Sequence, residues 1–542
     1  METINIDKLV DEMSVEDLCG QLLNIRAGRF ESMEEFERIA KRVRPGALFF
    51  GEANREMIKE YTDIVNKYTK VPVIISADIE HGPGCCVKGE PLLPEPMAWG
   101  ACDDEELIEK AGQVTGEICR KNGIHWSFAP VVDINYNKDN PITNVRAVSD
   151  KPEQVVKIAG AYVRGTQKNG YLLAGCKHFP GDGVDDRNQH LCTTINSLSK
   201  EEWLKTYGYV YKEMFKIGSA SVMVGHIALP DIEDEIDPVL GPKPGTLSKN
   251  VMTDLLRNEL GFEGCIVSDA MPMVGASAMC TQDRLSIEFI KAGGDMVLFA
   301  LERDFDYLMG AIESGEITME RLKDAVKHIL RMKVRARLFE DQEKIMNEIE
   351  LSGDISALSA EIAEKAITIV RNTQDLIPLK KQGKKKFLII NMMRNDRKME
   401  NGKYVRDMKI VAEELLKRGH EVDVMSSAGL DHRKIETERE LYDCILLDCR
   451  ISSRDYLGGT LRINSDNIGP FWRGVVVGHP CVIFTSFGDP YKLYDLPFLR
   501  TYVNAYSSSD DIQRAFVKVL LGEIPAVGKN PVALKGFFDR EV

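Results

Sequence analysis

The chain of 542 residues holds no run of the roughly 18 apolar residues that a membrane helix needs. Its opening stretch, METINIDKLVDEMSVEDLCGQ, is acidic and amphipathic, without the apolar core of a secretory leader. Among twelve cysteines there is no CxxC pair, and only Cys85 and Cys86 are adjacent. That excludes a zinc ribbon and gives no sign of a disulfide frame, so reduced thiols and a cytoplasmic location are expected. Clustered basic residues are scarce too. A net charge of −14 argues against a nucleic-acid surface, and the one dense basic run, Lys380–Lys386, reads as a solvated linker before an apolar strand. No GxGxxG turn, internal repeat or low-complexity tract is found, and the missing glycine turn weakens a dinucleotide-binding reading.

What is present is alternation. Apolar residues make up 44% of the chain and charged residues 28%, a soluble globular balance. Short β-branched runs precede amphipathic helical patterns at 46–51, 71–82, 125–134, 172–179, 221–229, 264–271 and 295–300, with a possible eighth near CGQLLNI (19–25). Continuous apolar strands alternating with helices mean a parallel sheet covered by helices. The count predicts an α/β fold, a (β/α)8-type TIM barrel, over an open doubly wound sheet. Residues 341–375 look helical and charged and are expected to link the barrel domain (1–340) to a smaller α/β sandwich domain (376–542). The strands of that second domain are expected at 385–393, 420–427, 442–449, 481–488 and 501–507.

Catalytic groups of such barrels sit where strands end. Polar residues stand there: Asp78, Glu80 and His81, then Asp133, Lys177, His178, His226 and Asp269, with Arg146 in the loop after Asp133. Singly, Asp78, Asp133 and Asp269 could each cap a following helix, and His226 could be a satisfied buried histidine. Together they fit a polyol pocket, in which many hydroxyls need donors and acceptors. A carboxylate emerging at Asp269 could attack an anomeric carbon.

LLAGCKHFPGDGVDDRNQH (172–190), MVGHIALP (223–230), GTLSKNVMTDLLRNELGFEGCIVSDAM (245–271) and HWSFAPVVDINYNKDNPITNVRAVSDKPEQV (125–155) resemble glycoside hydrolase family 3, its β-N-acetylglucosaminidase branch above all. DEMSVEDLCGQLLN (11–24) resembles the start of that family's barrel. AEKAITIVRNTQDLIPL (363–379), SFGDPYKLYDLP (486–497) and AYSSSDDIQRAFVKVLLGEIP (505–525) resemble its C-terminal α/β sandwich.

The resemblance implies that Asp269 is the nucleophile, and that Asp78, Arg146, Lys177 and His178 hold the hydroxyls of the sugar being cleaved. It also implies that His190, on a mobile loop whose glycines let it swing, is the acid/base. The branch supports that histidine with an Asp two residues earlier, where this chain has Asn188; Asp185 or Asp186 could swing in instead. Asp182 stands where the family has His, and an Arg common after DIEHG is missing, with Lys88 nearby. The implied activity is a retaining exo-β-glycosidase that frees N-acetylhexosamine, N-acetylglucosamine foremost, from small glycans or glycopeptides. It needs no metal or cofactor and engages neither nucleic acid nor membrane. A β-glucosidase or broad β-hexosidase, a phosphorylase and a sugar-binding pseudoenzyme are the rivals.

Overall fold

The structure, a computed structural model, describes residues 4–234, 236–379, 383–393, 408–428, 430–453, 461–464, 468–474 and 476–534. Lys380, Lys381 and Gln382 of the basic run lie outside the described residues. Its later lysines, Lys384 and Lys386, pair with Glu421 at 2.8 Å and Asp423 at 3.3 Å. Contacts divide the chain into two compact units. The first runs to Leu92 and takes in Ile108–Ile134 and Val155–Ile355; the second comprises Leu93–Leu107, Asn135–Gln154 and the chain from Ser356.

Eight strands form the main sheet of the first unit: β1 (Leu23–Arg26), β2 (Ala47–Phe49), β3 (Ile74–Ala77), β4 (Trp126–Ser127), β5 (Leu173–Phe179), β6 (Ser221–Val224), β7 (Cys265–Ser268) and β8 (Val297–Leu298). They form one parallel sheet in the order β7-β6-β5-β4-β3-β2-β1-β8. A parallel bridge between Val267 and Met296 brings β7 beside the β8 segment, so the sheet curls into the expected barrel and the open sheet is set aside. The strands are mostly apolar because both faces are covered; all seven residues of β5 are buried. Trp126 reaches across β5 and donates its indole N–H to Ser221 Oγ at 2.7 Å. Gly175 leaves that path open, since a Cβ there would lie 2.5 Å from the same hydroxyl. Side chains set the helix starts. Ser32 accepts from Glu35 N ahead of Met33–Val43, and Asn54 from Met57 N ahead of Arg55–Asn66.

The second unit is built on a six-stranded sheet of β9 (Thr368–Asn372), β10 (Lys386–Met393), β11 (Glu421–Ser426), β12 (Cys444–Arg450), β13 (Val482–Ser486) and β14 (Thr501–Asn504), in the order β9-β14-β13-β12-β10-β11. Only β9 runs antiparallel to its neighbour. The second unit differs from the sequence reading in its first strand and in the segments that build it. The stretch expected to be a helical linker holds helices Gln342–Glu348 and Ile355–Ala366, but ends in β9. That edge strand is short and its residues alternate between buried and partly buried, so it lacks the continuous apolar run that marks the other strands. The second unit also recruits two segments from the first part of the chain: Asn135–Gln154 is tied in by Asn144 Nδ2 to Asp489 Oδ1 at 2.9 Å and Ser149 Oγ to the Pro531 carbonyl at 2.6 Å, and Leu93–Leu107 by the Lys529 N–H to the Ala101 carbonyl at 2.9 Å.

Candidate active site

The polar residues converge at the C-terminal ends of β3 to β7. Lys177 leaves the end of β5 with its side chain only 4% exposed. Its ammonium meets Glu80 Oε1 at 2.6 Å and Asp78 Oδ1 at 2.9 Å. Glu80 is buried, whereas Asp78 is half-exposed and open to a ligand. His178 is clamped by Asp133: its backbone N–H donates to Oδ1 at 3.1 Å, and Nδ1 lies 2.7 Å from Oδ2. Asp133 is fully buried and accepts a third N–H, from Asp182, at 2.8 Å. Asp78 and Asp133 are therefore committed to Lys177 and to His178, and neither caps a helix.

Asp269 follows β7 directly. Its Oδ1 accepts the Ala270 N–H at 2.7 Å, and the next helix, Val274–Ser277, has Met273 at its cap, so Asp269 is not a helix cap either. Burial pushes the Asp269 carboxyl up, but the imidazoles of His178, His226 and His190, with the Ala270 amide, outweigh it and hold it below the ordinary carboxylate range. His226 is fully buried and kept below its usual range by that burial. Its Nε2–H donates to the Ala270 carbonyl at 3.0 Å, which leaves Nδ1 to accept from Thr246 Oγ1 at 3.0 Å. His226 is thus the satisfied buried histidine. An ionised carboxylate ringed by imidazoles is a competent nucleophile at neutral pH.

His190 sits in the loop that leaves β5. Asn188 Oδ1 accepts the backbone N–H of His190 at 3.0 Å and lies 2.8 Å from its Nδ1. A backbone N–H only donates, so it is the amide oxygen that faces the ring, and Nδ1 carries the hydrogen. Nε2 is left as the nitrogen that gives or takes a proton. Asp185 binds Arg187 at 2.6 Å and the Ile195 N–H at 2.7 Å, and it is Asn188 Oδ1 that stands against the His190 ring.

The loop glycines differ from expectation. Gly181 and Gly183 have φ of 123° and 104°, and a Cβ would lie 2.1 Å from the Tyr207 ring and 2.0 Å from the Ile134 carbonyl. They serve close approach rather than swinging.

Arg146 lies in the second unit, where its guanidinium donates to the Ile142 carbonyl at 3.3 Å. The other six candidates, Asp78, Lys177, His178, Asn188, His190 and Asp269, belong to the barrel unit. Sequence reasoning named Glu80, Asp133 and His226 only as strand-end residues and left Gln189 and Thr246 unnoticed. No spacing rule marks a glutamine that bonds to Asp182 in its own loop and to His226 on another strand exit.

A parallel barrel with a carboxylate, an imidazole pair and a buried lysine at its strand exits defines an enzyme of the sugar-cleaving barrel class. The chain belongs to glycosyl hydrolase family 3, whose N-terminal domain matches residues 14–332. It is 33% identical over 474 residues to a protein of Cellulomonas fimi named beta-N-acetylglucosaminidase/beta-glucosidase, covering 85% of this chain and 84% of that one. To the beta-hexosaminidase A of Pseudoalteromonas piscicida it is 29% identical over 373 residues, 64% of this chain and 62% of that one. Among solved structures it is similar to beta-glucoside phosphorylase BglX bound to 2FGlc, with a TM-score of 0.86 and 30% identity over 98% of this chain and 96% of that one.

Proposed function

We propose that this glycoside hydrolase is an exo-acting, retaining enzyme that removes a terminal β-linked sugar, N-acetylglucosamine foremost, from small glycans or glycopeptides. The observation that carries the reading is Asp269, an ionised carboxylate at the exit of β7, beside a histidine whose Nδ1 is occupied and whose Nε2 can move a proton. Asp269 attacks the anomeric carbon while His190 Nε2–H passes its proton to the departing oxygen, giving a glycosyl ester and a free alcohol. Water then attacks the ester, His190 Nε2 takes its proton, and the sugar leaves with Asp269 restored. Lys177, His178 and Asp78 hold ring hydroxyls. The relatives named for N-acetylglucosaminidase and hexosaminidase activity support the sugar. The twelve cysteines, all free, fit a reducing cytoplasm.

A second reading, transfer to phosphate instead of water, is favoured by the likeness to the phosphorylase along almost the whole chain. It also has a physical basis. An imidazole held by an amide puts no negative charge beside an incoming phosphate, whereas a carboxylate base would repel it.

The test is turnover of aryl N-acetylglucosaminide, N-acetylgalactosaminide and glucoside, each with and without phosphate, with product analysis. Free N-acetylglucosamine in both buffers supports hydrolysis; a sugar phosphate supports the second reading. Faster turnover of the glucoside overturns the sugar, and no turnover of any substrate leaves a binding protein. A slow fluorinated sugar should leave its adduct on Asp269 by intact and peptide mass spectrometry, and Asp269→Asn should abolish turnover. An adduct on another residue overturns the nucleophile.

A further inference from the structure

The acid/base role proposed for His190 needs that histidine held over Asp269, and Asn188, which binds its ring and its backbone N–H, belongs to the same loop, so those bonds tie it to no other strand exit. The neighbouring side chain, Gln189, is 1% exposed and spans three loops of the barrel. Its Oε1 accepts the His226 N–H at 3.1 Å, at the exit of β6. Its Nε2 donates to Asp182 Oδ2 at 3.4 Å, and Asp182 is fastened by its own N–H to Asp133 at 2.8 Å. Its backbone carbonyl accepts the Gly275 N–H at 3.2 Å, and the His190 carbonyl accepts the Val274 N–H at 3.3 Å, both from the segment after Asp269. The seat on that segment is bare by necessity. A Cβ on Gly275 would lie 2.4 Å from the Gln189 carbonyl, 2.8 Å from His226 Cβ and 3.0 Å from the Cys192 carbonyl.

From this geometry we infer that Gln189 is a positioning residue: it latches the His190 loop onto the exits of β6 and β7 and so sets the distance from His190 Nε2 to the departing oxygen. The inference rests on the proposed acid/base role of His190. The latch links the His178–Asp133 pair, through Asp182 and Gln189, to His226 and the Ala270 carbonyl beside Asp269. Asp182, which departs from the family pattern, gains a task in this arrangement, as the acceptor that holds the glutamine amide. A buried amide with both ends bonded has one orientation, so the loop has one seated position. Unseating it leaves Asp269 and the sugar-holding Lys177 in place, but moves the proton donor.

The distinguishing measurement is kcat/KM on two aryl glycosides of the same sugar, one with a dinitrophenyl and one with an unactivated phenyl leaving group. The first departs with little protonation; the second depends on His190. General acid help is worth about 10²–10⁴, and about 1 Å of misplacement can cost about 10². Gln189→Met, which keeps the volume and loses both amide bonds, should lower the phenyl substrate about 30-fold or more and the dinitrophenyl substrate less than about 3-fold. Gly275→Ala, which blocks the seat and leaves Gln189 intact, should give the same pattern. Equal losses on both substrates, or none on either, overturn the inference. If a variant fails to fold, as thermal unfolding would show, the other carries the test. His190→Ala on the same pair separates the two claims. If it shows no leaving-group dependence, the acid/base role fails; if it does while Gln189→Met and Gly275→Ala do not, only the latch fails.

Discussion

The Asn188 side chain decides how hard His190 can push or pull a proton. Its amide oxygen orients the ring as a carboxylate would but supplies no charge to stabilise the imidazolium. Asn188→Asp adds that charge, so His190 should keep its proton to higher pH and act as a stronger base. The expected outcome is a kcat/KM at least about tenfold higher on a poor leaving group, within the usual range of acid–base help. The alkaline limb of the pH–rate profile should also move upward. An unchanged limb would mean that Asn188 is not the group that tunes His190. Lys177 is a second case decided at one residue. It neutralises Glu80, whose side chain is 5% exposed, so Lys177→Met strands a buried carboxylate, a change that typically costs about 3–5 kcal/mol. Both the unfolding temperature and kcat/KM should fall. A lower unfolding temperature with an unchanged rate would reduce Lys177 to a structural role.

Among the elements, the loop after β5 is the one whose glycines the sequence misrepresents. Gly183 adopts a φ of 104° with the Ile134 carbonyl against it, so Gly183→Ala meets both backbone strain and a collision. Such a backbone state typically costs about 1–3 kcal/mol, and calorimetry should show a destabilisation of at least that size. A variant as stable as the parent would restore the picture of a freely swinging arm. The barrel strands were legible because each lies in a mostly apolar stretch followed by an amphipathic helical pattern. The edge strand Thr368–Asn372 was not, because half of its surface faces away from the core. Lys177, His178 and Asp269 were legible as polar residues ending apolar strands. Gln189 was not, since its partners His226 and Gly275 are brought to it only by the closed barrel.

For the molecule as a whole, the barrel carries a liability at the end away from the site. Lys333, on the helix Met319–Arg335, is fully buried, and its Nζ donates to Gln21 Oε1 at 2.6 Å, just before β1. Burial pushes its pKa down from the ordinary 10.5 to about 7, with the Cys265 thiol opposing slightly. Between those two values the unfolded chain binds a proton that the folded chain does not, so stability should rise with pH across that window and level off above it. Each unit of the shift is worth about 1.4 kcal/mol. Lys333→Met removes this dependence but leaves the buried Gln21 oxygen without its donor, at a cost of about 1–3 kcal/mol. The two effects have opposite signs in pH. The variant should unfold at a higher temperature than the parent near pH 6, where the parent must bury a charge, and at a lower one near pH 10, where the parent's lysine is neutral and still bonded to Gln21. Scanning calorimetry from pH 6 to 10 reads both curves. Parallel curves would mean that Lys333 keeps its charge in the folded barrel, and that a residue other than Gln21 balances it.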